Sequence, residues 1–206
     1  MDVQHSIVER FSEAASSAFL PRMAEAVSAA RRAGVPVVHV VVRHRAGRAE
    51  VASSNKLFAP LLGTDALLES HPGSEIHPAV APRSGEPVVT KRFVGAFATS
   101  DLDAVLRGLG ADTLVMLGLS TAGVLLSTVR EATERQYRQI VLSDACADDD
   151  PEVHAVLMGK LFPREADVLT VEEWSRTLTS TGTDTGTGTD TGTLASGPAA
   201  VPAAGR

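Results

Sequence analysis

Short apolar runs alternate with helix-like patterns along most of the chain. The clearest run is Val35–Val42, which is nearly continuous in β-branched residues, as expected of a strand buried on both faces. Helical spacing precedes this run, and Gly34 together with Pro36 ends the helix. Further strands are predicted at 87–91, 112–118, 139–144 and 167–170. The pattern predicts helices between them at 102–109, 121–137 and 151–161.

Strands that alternate with helices, and that are apolar along their whole length, indicate a parallel sheet covered on both faces. We therefore predict an α/β fold, a three-layer α/β/α sandwich with a mainly parallel sheet. Ligands of such sheets bind beyond the carboxyl ends of the strands. The residues of interest are those that follow strands, namely Lys91, 118–123 and 144–150.

The C-terminal end has a different composition from the rest of the chain. Residues 177–206 are rich in Thr, Gly, Ala and Pro, contain no aromatic residue and hold almost no large apolar one. Such a segment buries too little surface to offset its ordering entropy, so we expect a disordered tail. The Thr/Gly/Asp run lacks the glycine pairs and nine-residue spacing of calcium-binding repeats. The predicted folded domain is 1–176.

Composition and charge narrow the functional class. The chain has 206 residues, 44% of them hydrophobic, which suffices for the core of one domain, and a net charge of −6. An acidic chain disfavours nucleic acid and anionic membrane as partners, and no apolar run approaches the roughly 18 residues of a membrane span. The polar start does not resemble a signal peptide. We expect a cytoplasmic protein that acts on a small molecule.

Two strand ends carry candidate chemistry. Lys91 could stabilise a developing anion, although an ordinary solvated lysine has the same local sequence. The turn Gly118–Gly123 links a strand to a helix, and its N–H groups could form an anion or oxyanion site. It nearly matches the Gly-x-Ser-x-Gly pattern of serine hydrolases, with Ser120 as the nucleophile. His154 is the downstream histidine that such a mechanism would require.

Other candidate groups point less clearly to a site. Cys146 follows a strand, but free cysteines are mostly small buried apolar residues, and a single cysteine excludes an internal disulfide or a cysteine-rich zinc site. In the acidic run 148–150, Asp150 is already explained as a helix cap. His39 and His44 lack a partner at metal-ligand spacing. We therefore predict no bound metal and no cofactor.

Three blocks of sequence together resemble one known family. They are Asp2-Val3-Gln4, the segment 88–102 with its Lys91 and Ala96-Phe97, and 112–132 followed by Ser143-Asp144-Ala145-Cys146. In order and spacing they are similar to the motifs of the isochorismatase-like hydrolases, also called the cysteine hydrolase superfamily. The resemblance covers 2–174. It implies a sheet of strand order 3-2-1-4-5-6 and a homo-oligomer, either a dimer or a tetramer.

The resemblance also implies roles for individual residues. Family members use an Asp, a Lys and a Cys, and the thiolate attacks an amide to give an acyl-enzyme. Asp2 and Lys91 match the first two, whereas Val124 stands at the nucleophile position. The substrate-binding residues implied are Gln4, Phe93, Phe97, Ser120, Thr121, Ala122 and Gly123, with 120–122 as the oxyanion loop.

A valine at the nucleophile position leaves two interpretations open. In the first, the chain is a hydrolase that uses Asp2 as general acid and base without a cysteine, as isochorismatases do when they protonate a vinyl ether. In the second, it is a degenerate family member that binds a small ligand or serves as a structural subunit.

The predicted first strand is truncated. The family's first strand runs through several apolar residues to its Asp, whereas only Met1 precedes Asp2 here. A missing central strand would leave unpaired backbone groups on both sides of a gap. We expect a start upstream of Met1, and greater stability for a chain extended at that end.

Overall fold

The computed structural model describes residues 1–180, in which two parallel half-sheets form the centre of the fold. In the first half-sheet β1 pairs with β2, and in the second β3 pairs with β4 and β4 with β5. The strands are β1 (His39–Val42), β2 (Val88–Lys91), β3 (Thr113–Leu119), β4 (Arg138–Ala147) and β5 (Asp167–Leu169).

Helices cover both faces of the sheet, which confirms the predicted three-layer fold. They are α1 (His5–Val8), α2 (Glu13–Arg32), α3 (Leu102–Gly108), α4 (Leu126–Glu134), α5 (Pro151–Val156) and α6 (Val171–Ser180). One core lies under α2 and α6, and the other lies under α3, α4 and the turn after α5. None of the helices within 1–180 is long and apolar enough to cross a membrane.

The last described helix reaches into the segment that was predicted to be a tail. α6 continues to Ser180, so the first four residues of the predicted tail are helical. Leu178 packs against the core under α2 and α6, which explains why the helix continues. The rest of the predicted disordered tail, 181–206, lies outside the described residues.

Met1 and Asp2 join the two half-sheets. The Asp2 N–H donates to the Val40 carbonyl of β1 at 2.8 Å, and the Met1 nitrogen donates to the Leu117 carbonyl of β3 at 2.8 Å. The Leu119 N–H returns a bond to the Met1 carbonyl at 3.1 Å. These bonds alternate as in a parallel ladder, so Met1 and Asp2 occupy the place of a central strand in the predicted order 3-2-1-4-5-6.

Beyond Met1 the half-sheets are separated by a cavity of about 360 Å³, which we call the sheet groove. Its lining is mainly apolar and includes Ala26, Val27, Val37, Leu106, Val115 and Trp174. The groove also changes β1: the sequence predicted a strand from Val35, but regular pairing begins only at His39. Val35–Val38 border the groove, where no neighbouring strand of the described chain fixes their conformation.

Candidate active site

Asp2 lies at the end of the short Met1–Asp2 ladder and is 5% exposed. Its backbone is left-handed, with φ of 55°, so the chain turns sharply after the ladder. Gln4 then fixes this turn. Its side-chain oxygen accepts from the Val42 N–H at 2.9 Å, and its amide nitrogen donates to the carbonyls of Val42 and Ser74 at 3.0 and 2.9 Å. Gln4 is fully buried, and its side-chain amide is already bonded to the backbone. In this structure Gln4 therefore holds the turn that follows Asp2.

Lys91 ends β2 directly beside Asp2. Its Nζ lies 2.8 Å from Asp2 Oδ2 and donates to the Phe93 carbonyl at 2.8 Å. Lys91 is 1% exposed, so the structure holds a buried ion pair at the carboxyl end of the sheet. Asp2 Oδ1 is also buried and has no hydrogen-bond partner among the described residues. The carboxyl group therefore has one oxygen held by Lys91 and one without a partner among the described residues.

Burial raises the pKa of Asp2 above its ordinary value of 3.8. The cationic groups of Lys91 and of the Met1 nitrogen lower the pKa, but they only partly offset the burial. A carboxyl group with a raised pKa retains its proton nearer to neutral pH. Such a group can act as a general acid.

Gly118 allows β3 to approach Asp2 closely. A Cβ at this position would lie 2.0 Å from the Met1 carbonyl oxygen, and its φ of +144° strains any other residue. Shortly after Gly118, the peptide bond between Leu119 and Ser120 is cis. The chain then enters a π-helical turn at Thr121–Leu125 that continues as α4. This path brings the predicted oxyanion loop to the strand end that carries Met1 and Asp2.

The polar groups of this loop are largely engaged within the protein. Ser120 Oγ accepts from the Gly123 N–H at 3.2 Å, and the Ala122 N–H donates to Asp148 at 2.6 Å. Thr121 Oγ1 lies 2.8 Å from Nδ1 of His154, so the histidine bonds to Thr121 and not to Ser120. Two of the N–H groups expected to face a substrate thus have protein partners already.

Neither Val124 nor Cys146 offers a nucleophile. Val124 is 2% exposed and packs in the core under α3 and α4. Cys146 lies on β4 opposite Gly118, and burial raises the pKa of its thiol to about 12. A thiol with that pKa is protonated at neutral pH, whereas the thiolate is the reactive form.

The two predicted pocket phenylalanines lie in different places. Phe93 is half-buried next to Lys91, and its ring packs edge-on against Phe58 at 5.3 Å. Phe97 lies in the core, stacked on Tyr137 at 6.1 Å, with the guanidinium of Arg135 4.4 Å from its ring centre. The structure therefore brings Phe93, and not Phe97, to the Lys91 side of the site.

Sequence reasoning missed Phe58 as a neighbour of the site, and it did not predict the contacts that Asp148 and His154 make. Phe58 contacts both Phe93 and the fully buried His44, whose ring centre is 5.5 Å from that of Phe58. Asp148 and His154 hold the loop after the cis peptide, as described above. Within 1–180 no three His, Cys, Asp or Glu side chains are grouped so that they could hold a metal ion.

Comparison with known proteins agrees with this geometry. The sequence profile of the isochorismatase domain matches residues 1–173. The chain belongs to the isochorismatase family. Among relatives, the uncharacterized isochorismatase family protein YwoC of Bacillus subtilis is 39% identical over 101 residues, which are 49% of this chain and 53% of YwoC. The match thus spans only about half the length of that isochorismatase-family relative.

Two further isochorismatase-like relatives match a larger part of the chain. The maleamate amidohydrolase of Pseudomonas putida is 28% identical over 144 residues, covering 70% of this chain and 67% of the relative. The crystal structure of a cysteine hydrolase from Pseudomonas syringae superposes with a TM-score of 0.77 and 26% identity, covering 87% of this chain and 90% of the other.

Proposed function

We propose that this chain is a hydrolase of a small anionic or carbonyl-bearing metabolite, with Asp2 as general acid and base and without a cysteine nucleophile. The observation that carries the proposal is the buried Asp2 carboxyl group, held by Lys91 through Oδ2 and unpartnered at Oδ1. Burial favours the protonated acid, and Lys91 places a positive charge beside the group that it would activate.

The reaction needs only water as co-reactant. Asp2 donates a proton to the substrate, either to the carbon of a vinyl ether or to the leaving nitrogen of an amide. Water supplies the hydroxyl group to the electrophilic carbon, and its second proton returns to Asp2. The products then sum to substrate plus water, and the acid regains its starting state.

Two kinds of relative support hydrolysis of a small metabolite. One relative is named for the hydrolysis of maleamate, a compound that is both anionic and carbonyl-bearing, and one solved structure is named a cysteine hydrolase. Val124 is buried and carries no thiol, and the resemblance places it where family members have their nucleophilic cysteine, so the proposal contains no acyl-thioester. Catalysis by Asp2 and water is consistent with both observations.

The test is turnover of a mixed panel by the purified protein, followed by mass spectrometry. The panel holds isochorismate, maleamate, nicotinamide and several N-carbamoyl and ureido compounds. We expect loss of at least one compound, and a decrease of roughly 100-fold or more with Asp2→Asn, which keeps the shape but cannot supply the proton. Asp65→Asn, a change to a carboxylate outside the site, should leave the rate unchanged. Turnover that survives Asp2→Asn contradicts the proposed role.

The second candidate is a degenerate family member that binds a small ligand. The specific observation in its favour is that Val124, which the resemblance places at the nucleophile position, is a core residue. If the unmodified chain turns over nothing, Val124→Cys should create amidase activity, with an acyl-enzyme visible by mass, provided that the rest of the site is intact. Val129→Cys, which places a thiol in the same core on α4, is the control. Inactivity of both variants would mean that the site has changed beyond this one residue.

A further inference from the structure

His154 on α5 is bonded to the turn Thr121–Leu125, which follows the cis peptide bond. Its Nδ1 lies 2.8 Å from Thr121 Oγ1, although the two residues are 33 positions apart in the chain. Asp150 Oδ1 caps α5 by accepting from two N–H groups of its first turn, at 2.9 and 3.3 Å. This cap fixes where α5 begins, and so it places His154, at the end of that first turn, against Thr121.

The bond joins a buried hydroxyl group to a neutral imidazole. Thr121 is fully buried, and His154 is half-buried. Burial lowers the pKa of His154 below its ordinary value of 6.5, and the nearby Asp148 carboxylate raises it only in part. A neutral imidazole pairs with a hydroxyl group in either tautomer, because the hydroxyl group can donate or accept. Loss of the imidazole would leave this bond unmade inside the protein, which is costly for a buried polar group.

The other end of the turn is attached to the residues that carry Asp2. The Leu119 N–H donates to the Met1 carbonyl at 3.1 Å, and the turn begins two residues after Leu119. The turn therefore lies between two anchors, Met1 on one side and His154 on the other. A movement of Thr121 would be transmitted over two residues to the strand end beside Asp2.

The same contacts argue against His154 as the base that activates a hydroxyl nucleophile. Ser120 Oγ accepts from the Gly123 N–H at 3.2 Å, and it is not the hydroxyl group that His154 contacts. Thr121 Oγ1 does lie beside His154, but Thr121 is fully buried and cannot meet a substrate. The contact therefore acts through the position of the turn and not on a reacting atom.

We propose that His154 is a positioning residue: through Nδ1 it holds Thr121, and it thereby fixes the turn Thr121–Leu125 beside Asp2. This role rests on the proposed function, because it makes the turn a wall of the site in which Asp2 acts. His154 itself makes no contact with the substrate and transfers no proton. A shift of the turn by about 1 Å would be enough to misplace the substrate relative to the acid.

Two pairs of variants test whether the bond, and not the side chains alone, is required. His154→Asn keeps a polar atom near the place of Nδ1, whereas His154→Leu removes it. Thr121→Ser keeps the hydroxyl group, and Thr121→Val removes it while keeping the shape of the side chain. Thr128→Val on α4 is the matched control, since Thr128 is 1% exposed and its Oγ1 accepts from the Ala96 N–H at 3.2 Å.

We expect kcat to fall roughly 10- to 100-fold in His154→Leu and in Thr121→Val, with KM changed less than about threefold, and to fall no further in the double variant. His154→Asn and Thr121→Ser should keep most of the rate. Hydrogen exchange of the Gly123 amide, which is bonded to Ser120 Oγ within the turn, should be faster only where the bond is lost. Thr128→Val should lower the melting temperature by a similar amount but change neither the rate nor this exchange.

Additive losses in the double variant, or an asparagine variant as impaired as the leucine variant, would overturn the role of His154. So would a Thr128→Val variant that is slowed as much as Thr121→Val, because a general loss of stability would then explain both. The Thr121 pair decides the question if His154→Leu does not fold. If no compound of the panel is turned over, exchange of the Gly123 amide decides it, so a failure of the proposed hydrolase activity is distinguishable from a failure of this role.

Discussion

Replacing Gly118 by alanine is expected to disrupt both the fold and the site. The new Cβ would lie 2.0 Å from the Met1 carbonyl oxygen, a backbone atom that has little freedom to move. Relief of that clash breaks the 3.1 Å bond between the Leu119 N–H and Met1, and it displaces the adjacent Asp2. We expect the free energy of unfolding to fall by about 3 kcal/mol and the melting temperature by roughly 6–12 °C, with any turnover reduced 100-fold or more.

Gly85→Ala is the matched control for this variant. Gly85 also has a positive φ, +88°, but a Cβ there would meet no atom within 4 Å. The free energy of unfolding of Gly85→Ala should therefore fall only by the cost of placing alanine at a positive φ, about 1 kcal/mol. Thermal unfolding of both variants separates the two contributions. If Gly118→Ala is no less stable than Gly85→Ala, the close approach of β3 to Met1 is not what holds Asp2.

Lys91→Met should have the second large effect, on both rate and pH dependence. The variant keeps most of the length of the side chain, without the terminal ammonium group, and leaves the buried Asp2 without its 2.8 Å cationic partner. Since Lys91 lowers the pKa of Asp2, its removal raises that pKa further. We expect turnover to fall by about 100- to 1000-fold, because the charge beside the reacting group is lost, and the fall in rate at high pH to move to higher pH.

The raised pKa of Asp2 also determines how the stability of the protein changes with pH. A carboxyl group whose pKa is raised by folding binds its proton more tightly in the folded state than in the unfolded one. Stability is therefore retained below the ordinary value of 3.8, and it is lost as the pH rises through the folded pKa of Asp2. In Lys91→Met this loss extends to higher pH, so the variant should be penalised more at pH 8 than at pH 5.

Chemical denaturation at those two pH values measures the penalty. Lys56→Met removes the same charge from an exposed position and serves as the control. The buried variant should lose about 3–5 kcal/mol at pH 8, the usual cost of an uncompensated buried charge, and the exposed one close to nothing. A loss that is equal for both variants, or independent of pH, would argue against Asp2 as an acid with a raised pKa.

The sequence predicted the layers well because buried parallel strands and their helices have a strong local pattern, whereas the strand order came from the family resemblance. β2, β3 and β5 lie within about one residue of their predicted bounds. The predicted start of β1 was four residues before the observed one. The apolar pattern alone does not show that Val35–Val38 border an open groove. β4 runs to Ala147, three residues past its predicted end, and those residues pair with the bulged end of β3.

The candidate site was predictable only in part. Asp2 was singled out only through the resemblance of whole blocks, since it has no informative local pattern, whereas Lys91 was already a candidate because it ends a predicted strand. The bond between His154 and Thr121 and the place of Phe97 in the core both depend on how distant segments meet, which composition and spacing do not encode. Gly118 followed a predicted strand, yet its close contact with Met1 joins residues that are more than a hundred positions apart.

The joint between the half-sheets has a mechanical consequence. The ladder bonds that link β1 to β3 run through Met1 and Asp2, so a force that pulls the half-sheets apart would act first on the segment that carries the acid. Asp2 is bonded to the first half-sheet through Val40 and Lys91, and Met1 is bonded to the second through Leu117 and Leu119, so this short segment would bear the load. A ligand bound by both Asp2 and Lys91 would attach this segment more firmly to the first half-sheet, and its binding should raise the force needed to pull Asp2 away from β1.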